Sequence, residues 1–267
     1  MLIMEENQGY SATQGNCGSA NAYFCALAAE YASVADWYGV THPSLPNYLA
    51  ITSGSTQGCG SDSCGSYASA NLGQQLTQAG IPWAAYMESM PAPCDSSSSG
   101  EYAARHNPFV HYTDLVVGAT CATHDLPYPS TSGLVADLDG VNAPDFVWVT
   151  PNLIDDMHDG TVADGNAWLA QMLPAVLGSS WFQAYRSTVV ITEDENDAAP
   201  SGSCCSGAAA GGQIPALVVS SAARGRGLVD VTGDHYGVLR SIEEVFGLPL
   251  LGGADSVANG DLSSLFG

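Results

Sequence analysis

The chain has 267 residues, with 27 acidic side chains against five basic ones, and a formal net charge of −22. The five cations, Arg105, Arg186, Arg224, Arg226 and Arg240, are too few to form the basic stripe that nucleic acid or an anionic lipid surface demands. An apolar content of 46% still supports a folded core, because charged residues make up only 12% and the imbalance reflects missing bases.

In chain order, Leu2–Met4 reads as a short buried strand, closed by Glu5, Glu6 and Asn7. Ala20–Tyr38 predicts a helix, and the segment His42-Pro43-Ser44-Leu45-Pro46-Asn47-Tyr48 follows it. Gly54–Ser66 and Ser96–Gly100 are Ser/Gly-rich surface loops flanking a helix over Asn71–Ala79. Phe146–Val149 is a second buried strand, after which the chain reads Asn152-Leu-Ile-Asp-Asp-Met-His-Asp159. A helix over Asn166–Leu177 precedes the strand Thr188–Thr192, which runs into Glu193-Asp194-Glu195-Asn196-Asp197. Beyond the loop Pro200–Gly212 lie a strand over Ile214–Ser220 and a helix over Tyr236–Phe246, with Asp234 as N-cap and Gly247 as C-cap.

Strands alternating with helices predict one α/β domain over 1–267, with a mostly parallel central sheet covered by helices on both faces. No apolar run reaches the roughly 18 residues of a membrane span. Eight cysteines lack the paired spacing of a zinc framework, so three or four disulfides and an oxidising compartment are expected. Cys59–Cys64 and Cys94–Cys121 are the favoured local pairs, and Cys204-Cys205 reads as half-cystines in a loop rather than a redox centre. With no leader segment before Leu2, the chain reads as the mature or truncated form of a secreted protein.

Chemistry in such a sheet sits beyond the carboxyl ends of the strands. Four polar clusters fall there: Glu5–Asn7, His42–Tyr48, Asn152–Asp159 and Glu193–Asp197. Each alone has a bland reading: acids after a strand are usually solvated, a serine before a helix usually caps it, and single histidines are usually structural. Their convergence on one sheet edge is what points to a site.

The strings Met4–Asn7 (MEEN), Thr41–Thr56 (THPSLPNYLAITSGST), Tyr102–Asp114 (YAARHNPFVHYTD), Thr150–Gly160 (TPNLIDDMHDG), Thr188–Asp197 (TVVITEDEND) and Asp234–Gly252 (DHYGVLRSIEEVFGLPLLG) resemble the bacterial phosphoesterase family. That family holds secreted acid phosphatases and phospholipases C within the alkaline-phosphatase-like superfamily. The resemblance runs through nearly the whole chain and is nearest to a short branch that includes phosphatidylinositol-3-phosphatases. It implies Ser44 as nucleophile and His158 as catalytic histidine, with His106, Arg105 and His235 meeting substrate. It further implies Glu6, Asn7, Ser44, Asp194 and Glu195 as divalent-metal ligands, whether for one ion or two, with Glu193 a nearby spare; His42, two residues before Ser44, is expected as a second-sphere contact. His111 and His124 are expected to be structural or surface residues. Two positions depart from the family pattern, Gln8-Gly9 and Gly237, and both are expected at the pocket rim.

A serine hydroxyl needs a base or a metal to act as nucleophile near neutrality. An all-oxygen donor set favours Ca²⁺, Mg²⁺ or Mn²⁺ over Zn²⁺. The expected activity is hydrolysis of small phosphate monoesters or a phosphoinositide headgroup through a phosphoserine. A phospholipase C-type phosphodiesterase and a non-catalytic binding protein of the same fold are the competing readings.

Overall fold

Short apolar runs bounded by turn residues fold as strands, and period-two alternation sends their side chains to opposite faces. The computed structural model describes residues 1–184, 186–197, 204–205, 210–222 and 226–266; Arg224 and most of the predicted loop Pro200–Gly212 lie outside them. The strands are β1 (Leu2–Glu5), β2 (Ala32–Tyr38), β3 (Trp83–Met87), β4 (Asp125–Pro127), β5 (Phe146–Thr150), β6 (Thr188–Glu193), β7 (Gln213–Ser220) and β8 (Gly227–Asp234). They form one sheet in the order β4-β3-β5-β1-β6-β7-β2-β8. Only β7 runs against its neighbours, β6 and β2, so the other strands point their carboxyl ends the same way.

The helices are α1 (Ala22–Glu30), α2 (Ser44–Ser53), α3 (Leu72–Ala79), α4 (Thr113–Val117), α5 (Cys121–His124), α6 (Thr131–Leu138), α7 (Val162–Leu177), α8 (Ser180–Ala184) and α9 (His235–Phe246). Leu2, Met4, Trp148 and Val190 pack against α2, α3 and α9 on one face. Ile3, Val147, Val189 and Ile191 pack against α1, α6, α7 and α8 on the other. The sheet is thus doubly covered, as the alternation predicts. Two expected caps form: the Asp234 side chain accepts from Tyr236 N, and Gly247 takes the left-handed φ of 66° that glycine tolerates.

The predicted helix Ala20–Tyr38 is corrected. It stops at Glu30, and the rest becomes β2, inserted between β7 and β8. Alanine-rich composition favours a helix weakly, whereas pairing on both edges and burial of Ala32, Val34 and Trp37 favour a strand strongly. A register shift between Val34 and Trp37 blurs the alternation that would have revealed it.

Cys59–Cys64 and Cys94–Cys121 are bonded as expected, Cys17 pairs with Cys25, and Cys204 pairs with its neighbour Cys205. No helix among the described residues is long and apolar enough to cross a membrane.

Beside the Cys94–Cys121 bridge, Asp125 is fully buried; its Oδ2 accepts from Asn107 Nδ2 at 2.8 Å while Oδ1 has no partner. Burial pushes its pKa from 3.8 up to about 7. The unfolded chain therefore releases this proton first, and stability drains as pH rises from about 4 to about 7. Asp125→Asn removes that slope. Its stability relative to wild type should grow across this window by up to a few kcal/mol and then level off, as read from urea unfolding at a series of pH values.

Candidate active site

Alternation sorts the acids that end the two central strands. β1 and β6 pair in register, Glu5 opposite Glu193. Glu6 and Asp194 fall on the α2/α9 face, with the even-numbered core residues Met4 and Val190; Glu5 and Glu193 point to the opposite face, with Ile3 and Ile191. Glu193 is therefore no spare ligand for the Glu6 site, which corrects that expectation. Both Glu5 oxygens are buried without a partner, and desolvation holds the Glu5 and Glu193 carboxyls well above the usual carboxylate range.

Ser44 is the first residue of α2, a helix buried along its whole length. Its hydroxyl donates to Glu6 Oε2 at 3.1 Å and also reaches Asp194. Tyr48, one turn on, donates to Glu6 Oε1 at 2.5 Å, so Glu6 is gripped by two hydroxyls from one helix face. Asn47 fastens the loop before α2: its Oδ1 accepts from Val40 N and Thr41 N, and its Nδ2 donates to Thr41 O. Asp62, from the Ser/Gly-rich loop, accepts from Leu45 N at 3.0 Å. Asn7 adopts φ 67°, a left-handed conformation that asparagine tolerates, and this turns its main-chain N–H onto Asp194 Oδ1 at 2.9 Å.

The segment after β5 supplies the opposite wall. Asp156 accepts from His158 N at 2.7 Å and faces His106 Nδ1 at 3.1 Å, while His106 Nε2 lies 3.5 Å from Glu6 Oε2. Tyr48 stacks on the His106 ring. Burial, aided by Arg105 and His158, drives the His106 pKa well below its usual value, so the ring is neutral. His158 is partly exposed. Arg105 Nη2 donates to its Nε2 at 2.9 Å, which leaves Nδ1–H to donate to Asp159 at 2.7 Å.

His235 stands apart from the expected substrate contacts. It is fully buried behind β6, its Nε2 donates to the main-chain carbonyl of Asp194 at 2.6 Å, and burial lowers its pKa to about 4. It props Asp194 rather than facing the open side. Glu195 Oε2 lies 2.6 Å from His42 Nδ1, so His42 does contact a proposed ligand residue, and Glu195 stays close enough to Asp194 and Glu6 to act on both electrostatically. His111 and His124 bond the main-chain oxygens of Ala104 and Trp83, as structural residues do. Tyr48, Asp156 and Asp159 carried no assigned role in sequence, although they lie within the segments His42–Tyr48 and Asn152–Asp159; Asp62 carried no signal at all.

The departures from the family pattern are packing features, not rim features. A Cβ on Gly237 would meet Asn259 O at 2.3 Å, and one on Gly9 would meet the Asn196 side chain at 2.3 Å. The carboxyl terminus of the chain fills the space that a larger residue at 237 would need.

The donor set suits a hard divalent cation. Glu6, Asp194 and Ser44 converge as oxygen donors, Asp194 Oδ2 is buried without a partner, and among the described residues no arginine pairs with Glu6, Asp194 or Glu195. Burial raises the Glu6 and Asp194 pKa values, and burial together with Asp194, Asp197 and Asp62 pushes Glu195 up to about 9. Carboxylates so placed stay charged when a cation compensates them.

A model described as the phosphoesterase family matches residues 2–249. A phosphatidylinositol-3-phosphatase of Mycobacterium tuberculosis is 33% identical over 256 residues, covering 94% of this chain and 78% of the relative. An acid phosphatase of Aspergillus fumigatus is 28% identical over 244 residues, covering 87% of this chain; the chain spans only 52% of that relative's length. Among solved structures, the lipoteichoic acid synthase LtaP from Listeria monocytogenes superposes with a TM-score of 0.66 at 11% identity, over 97% of this chain and 75% of that one. A protein in the alkaline phosphatase superfamily from Vibrio parahaemolyticus gives 0.59 at 11% identity, over 92% and 65%. At such identities the structural matches show a shared fold.

Gly237→Ser should lower stability by about 1–3 kcal/mol through overpacking against Asn259, read as a drop in melting temperature. Tyr48→Phe keeps the ring stack and removes only the bond to Glu6. It should lower stability in chelator by about 1–3 kcal/mol, because the buried Glu6 carboxyl loses a donor, and should weaken the thermal upshift that a divalent cation gives.

Proposed function

The chain belongs to the phosphoesterase family, and on that footing we propose that it is a metal-dependent phosphatase hydrolysing phosphate monoesters through a phosphoserine at Ser44. The observation that carries the reading is the placement of Ser44 Oγ. It sits at the amino end of buried α2, against Glu6 and Asp194; His106, 3.5 Å from Glu6, packs against His158, which is in turn bonded to Arg105.

Ser44 Oγ attacks phosphorus as its proton passes to Glu6 Oε2, 3.1 Å away, and the amino end of α2 favours the charge that its oxygen carries on the way. Arg105, now spent on His158 Nε2, has the planar donor fork that suits phosphoryl oxygens, and taking up the phosphate frees that nitrogen. Asp159 holds the His158 ring by Nδ1–H, so Nε2 serves the reaction. Once the phosphate draws Arg105 off, Nε2 takes a proton from solvent, and that proton passes to the leaving alkoxide as the ester P–O bond breaks. Nε2 then takes a proton from water as the water oxygen attacks phosphorus and the Ser44–phosphorus bond breaks, the serine oxygen recovering its proton from Glu6. His106, neutral and bonded to Asp156, orders the wall between these groups. Glu6, Asn7, Ser44, Asp194 and Glu195 would hold a divalent cation, which would supply charge neutralisation to the phosphoryl oxygens and acidity to the serine hydroxyl.

Phosphatidylinositol 3-phosphate is one substrate this reading admits, on the strength of similarity to the mycobacterial relative. The four disulfides and the fungal acid phosphatase relatives support an extracytoplasmic location. The net charge repels anionic substrates at long range, so local cations must do the binding.

Ser44→Ala should lower p-nitrophenyl phosphate hydrolysis by at least about 1000-fold with the fold intact by circular dichroism. An unchanged rate would discard Ser44 as nucleophile. Run side by side, p-nitrophenyl phosphorylcholine should be the poorer substrate, and a strong preference for it would replace the monoester reading with a diesterase. Chelation should abolish activity and re-addition of Ca²⁺, Mg²⁺ or Mn²⁺ restore it. Added salt should lower KM for the anionic ester by screening the repulsion, and a KM that rises with salt would contradict this account of the charge.

A further inference from the structure

Asp156, His158 and Asp159 all stand on one turn, Asn152–Asp159, which follows β5. Inside it Asp156 N donates to Asn152 O and Asp159 N to Leu153 O, both at 2.7 Å, while Asn152 Oδ1 accepts from Ile154 N and Asp155 N. The root of the turn is held from outside by Glu88, the half-buried residue that follows β3. Glu88 Oε2 accepts from Asn152 N at 3.1 Å, and Oε1 accepts from Trp168 Nε1 of α7 at 3.2 Å. Glu88 N also donates to Thr150 O at 3.0 Å, at the end of β5. One residue thus ties β3, β5, the turn and α7 together.

Asp155 lies against the same clamp. Asn152 Nδ2 donates to Asp155 Oδ2 at 3.3 Å, and the Asp155 and Glu88 carboxyls are hydrogen-bonded to each other. Two carboxyls share such a bond only while one of them keeps a proton, which then belongs to the pair. The groups facing the pair favour keeping it. Glu5 at the end of β1, Glu101, and Asp164 on α7 bring negative charge, and Tyr128, just after β4, is held neutral by burial. Burial, opposed by the Asn152 N–H and aided by Asp155, takes the Glu88 pKa from 4.5 up to about 7. Below that point the pair carries one proton; above it two carboxylates face each other and the bond between them is gone.

We propose that Glu88 and Asp155 are positioning residues: sharing one proton, they clamp the Asn152–Asp159 turn to β3 and α7 and so hold His158 in place for the reaction. The inference rests on the phosphatase reading above and deepens it with a regulation. Loss of the shared proton loosens the root of the turn, and His158 leaves its working position as pH rises.

The test reads the proton and the rate separately. The Trp168 indole N–H points at Glu88 Oε1 and reports on it without any turnover. In nitrogen-15 spectra, with the signal identified by Trp168→Phe, it should move in one step centred at about 7 in wild type and stay still in Glu88→Gln. A wild-type signal that stays still overturns the shared proton. Rates are taken on p-nitrophenyl phosphate, whose nitrophenolate leaves without needing a proton, so the demand for an acid at His158 does not shape the alkaline side. Wild-type kcat should fall about tenfold between about pH 6 and about pH 8. In Asp155→Asn the amide gives Glu88 a permanent hydrogen, and the same two rates should agree within about twofold. Glu88→Ala should lower kcat at about pH 6 at least about tenfold, with KM changed less than about twofold, and Glu88→Gln should recover part of that loss. Circular dichroism checks that each variant is folded. A wild-type rate that stays level, an equal fall in Asp155→Asn, or a Glu88→Ala enzyme as fast as wild type overturns the positioning pair. With Ser44→Ala inactive, any of these leaves the phosphoserine reading standing. A Ser44→Ala enzyme as fast as wild type overturns that reading and, with it, the role given to the pair.

Discussion

A carboxylate buried away from water is costly unless something opposite in charge stands beside it. This chain places such groups where its two central strands end: Glu5, Glu6, Glu193, Asp194 and, across the pocket, Asp156 are all buried. The neutralising devices that the described residues offer them are protons, hydroxyls, main-chain N–H groups, the imidazole of His106 and, for Asp156, the nearby charge of Arg105. The layout of the site follows from meeting that cost. α2 enters with Ser44 and Tyr48 turned to Glu6, the left-handed turn at Asn7 lays an amide on Asp194, and His235 braces the Asp194 carbonyl from behind.

The sheet is what allows two faces to carry different chemistry. A one-residue step along β1 or β6 moves a carboxyl from the α2 side to the α7 side. Glu6 thereby shares a chamber with the Ser44 hydroxyl, whereas Glu5 shares one with Glu193 and shifts toward its protonated form. Adjacent residues with the same side chain are thus placed in different surroundings by geometry alone. On the proposed reading, large negative charge and a phosphate substrate would be compatible for the same reason: the acids that repel an anion at a distance are the ones that would gather a cation at the point of contact.

Much of this was legible in the residues. Runs such as Phe146–Val149 and Thr188–Thr192 announced buried strands because they are β-branched, uninterrupted and closed by polar groups. The helix Tyr236–Phe246 was legible from its two caps. β2 was hidden because its alanines and broken alternation imitate a helix until β7 and β8 are in place beside it. In the site, Ser44, Glu6, Asp194 and His158 stood out by residue type and position. The facing of Glu193, the inward turn of His235 and the pairing of Glu195 with His42 depend on strand registry and side-chain direction, which no local string encodes. Asp62, in a loop of serines and glycines, had no neighbours to mark it.

The position of β1 bears on how the chain comes together. It precedes the other described strands along the chain, yet it belongs at the middle of the sheet, between β5 and β6. The contact between Asn7 and Asp194 closes a separation of 187 positions, so the centre of the sheet and the site assemble late. Until then the amino-terminal strand waits with both edges bare, which is the condition in which chains stick to one another. The bridges Cys17–Cys25, Cys59–Cys64 and Cys94–Cys121 each span few residues and can form during that wait, giving an emerging chain local order before its long-range partners exist. The shared negative charge does a second service here, keeping half-made copies apart during synthesis.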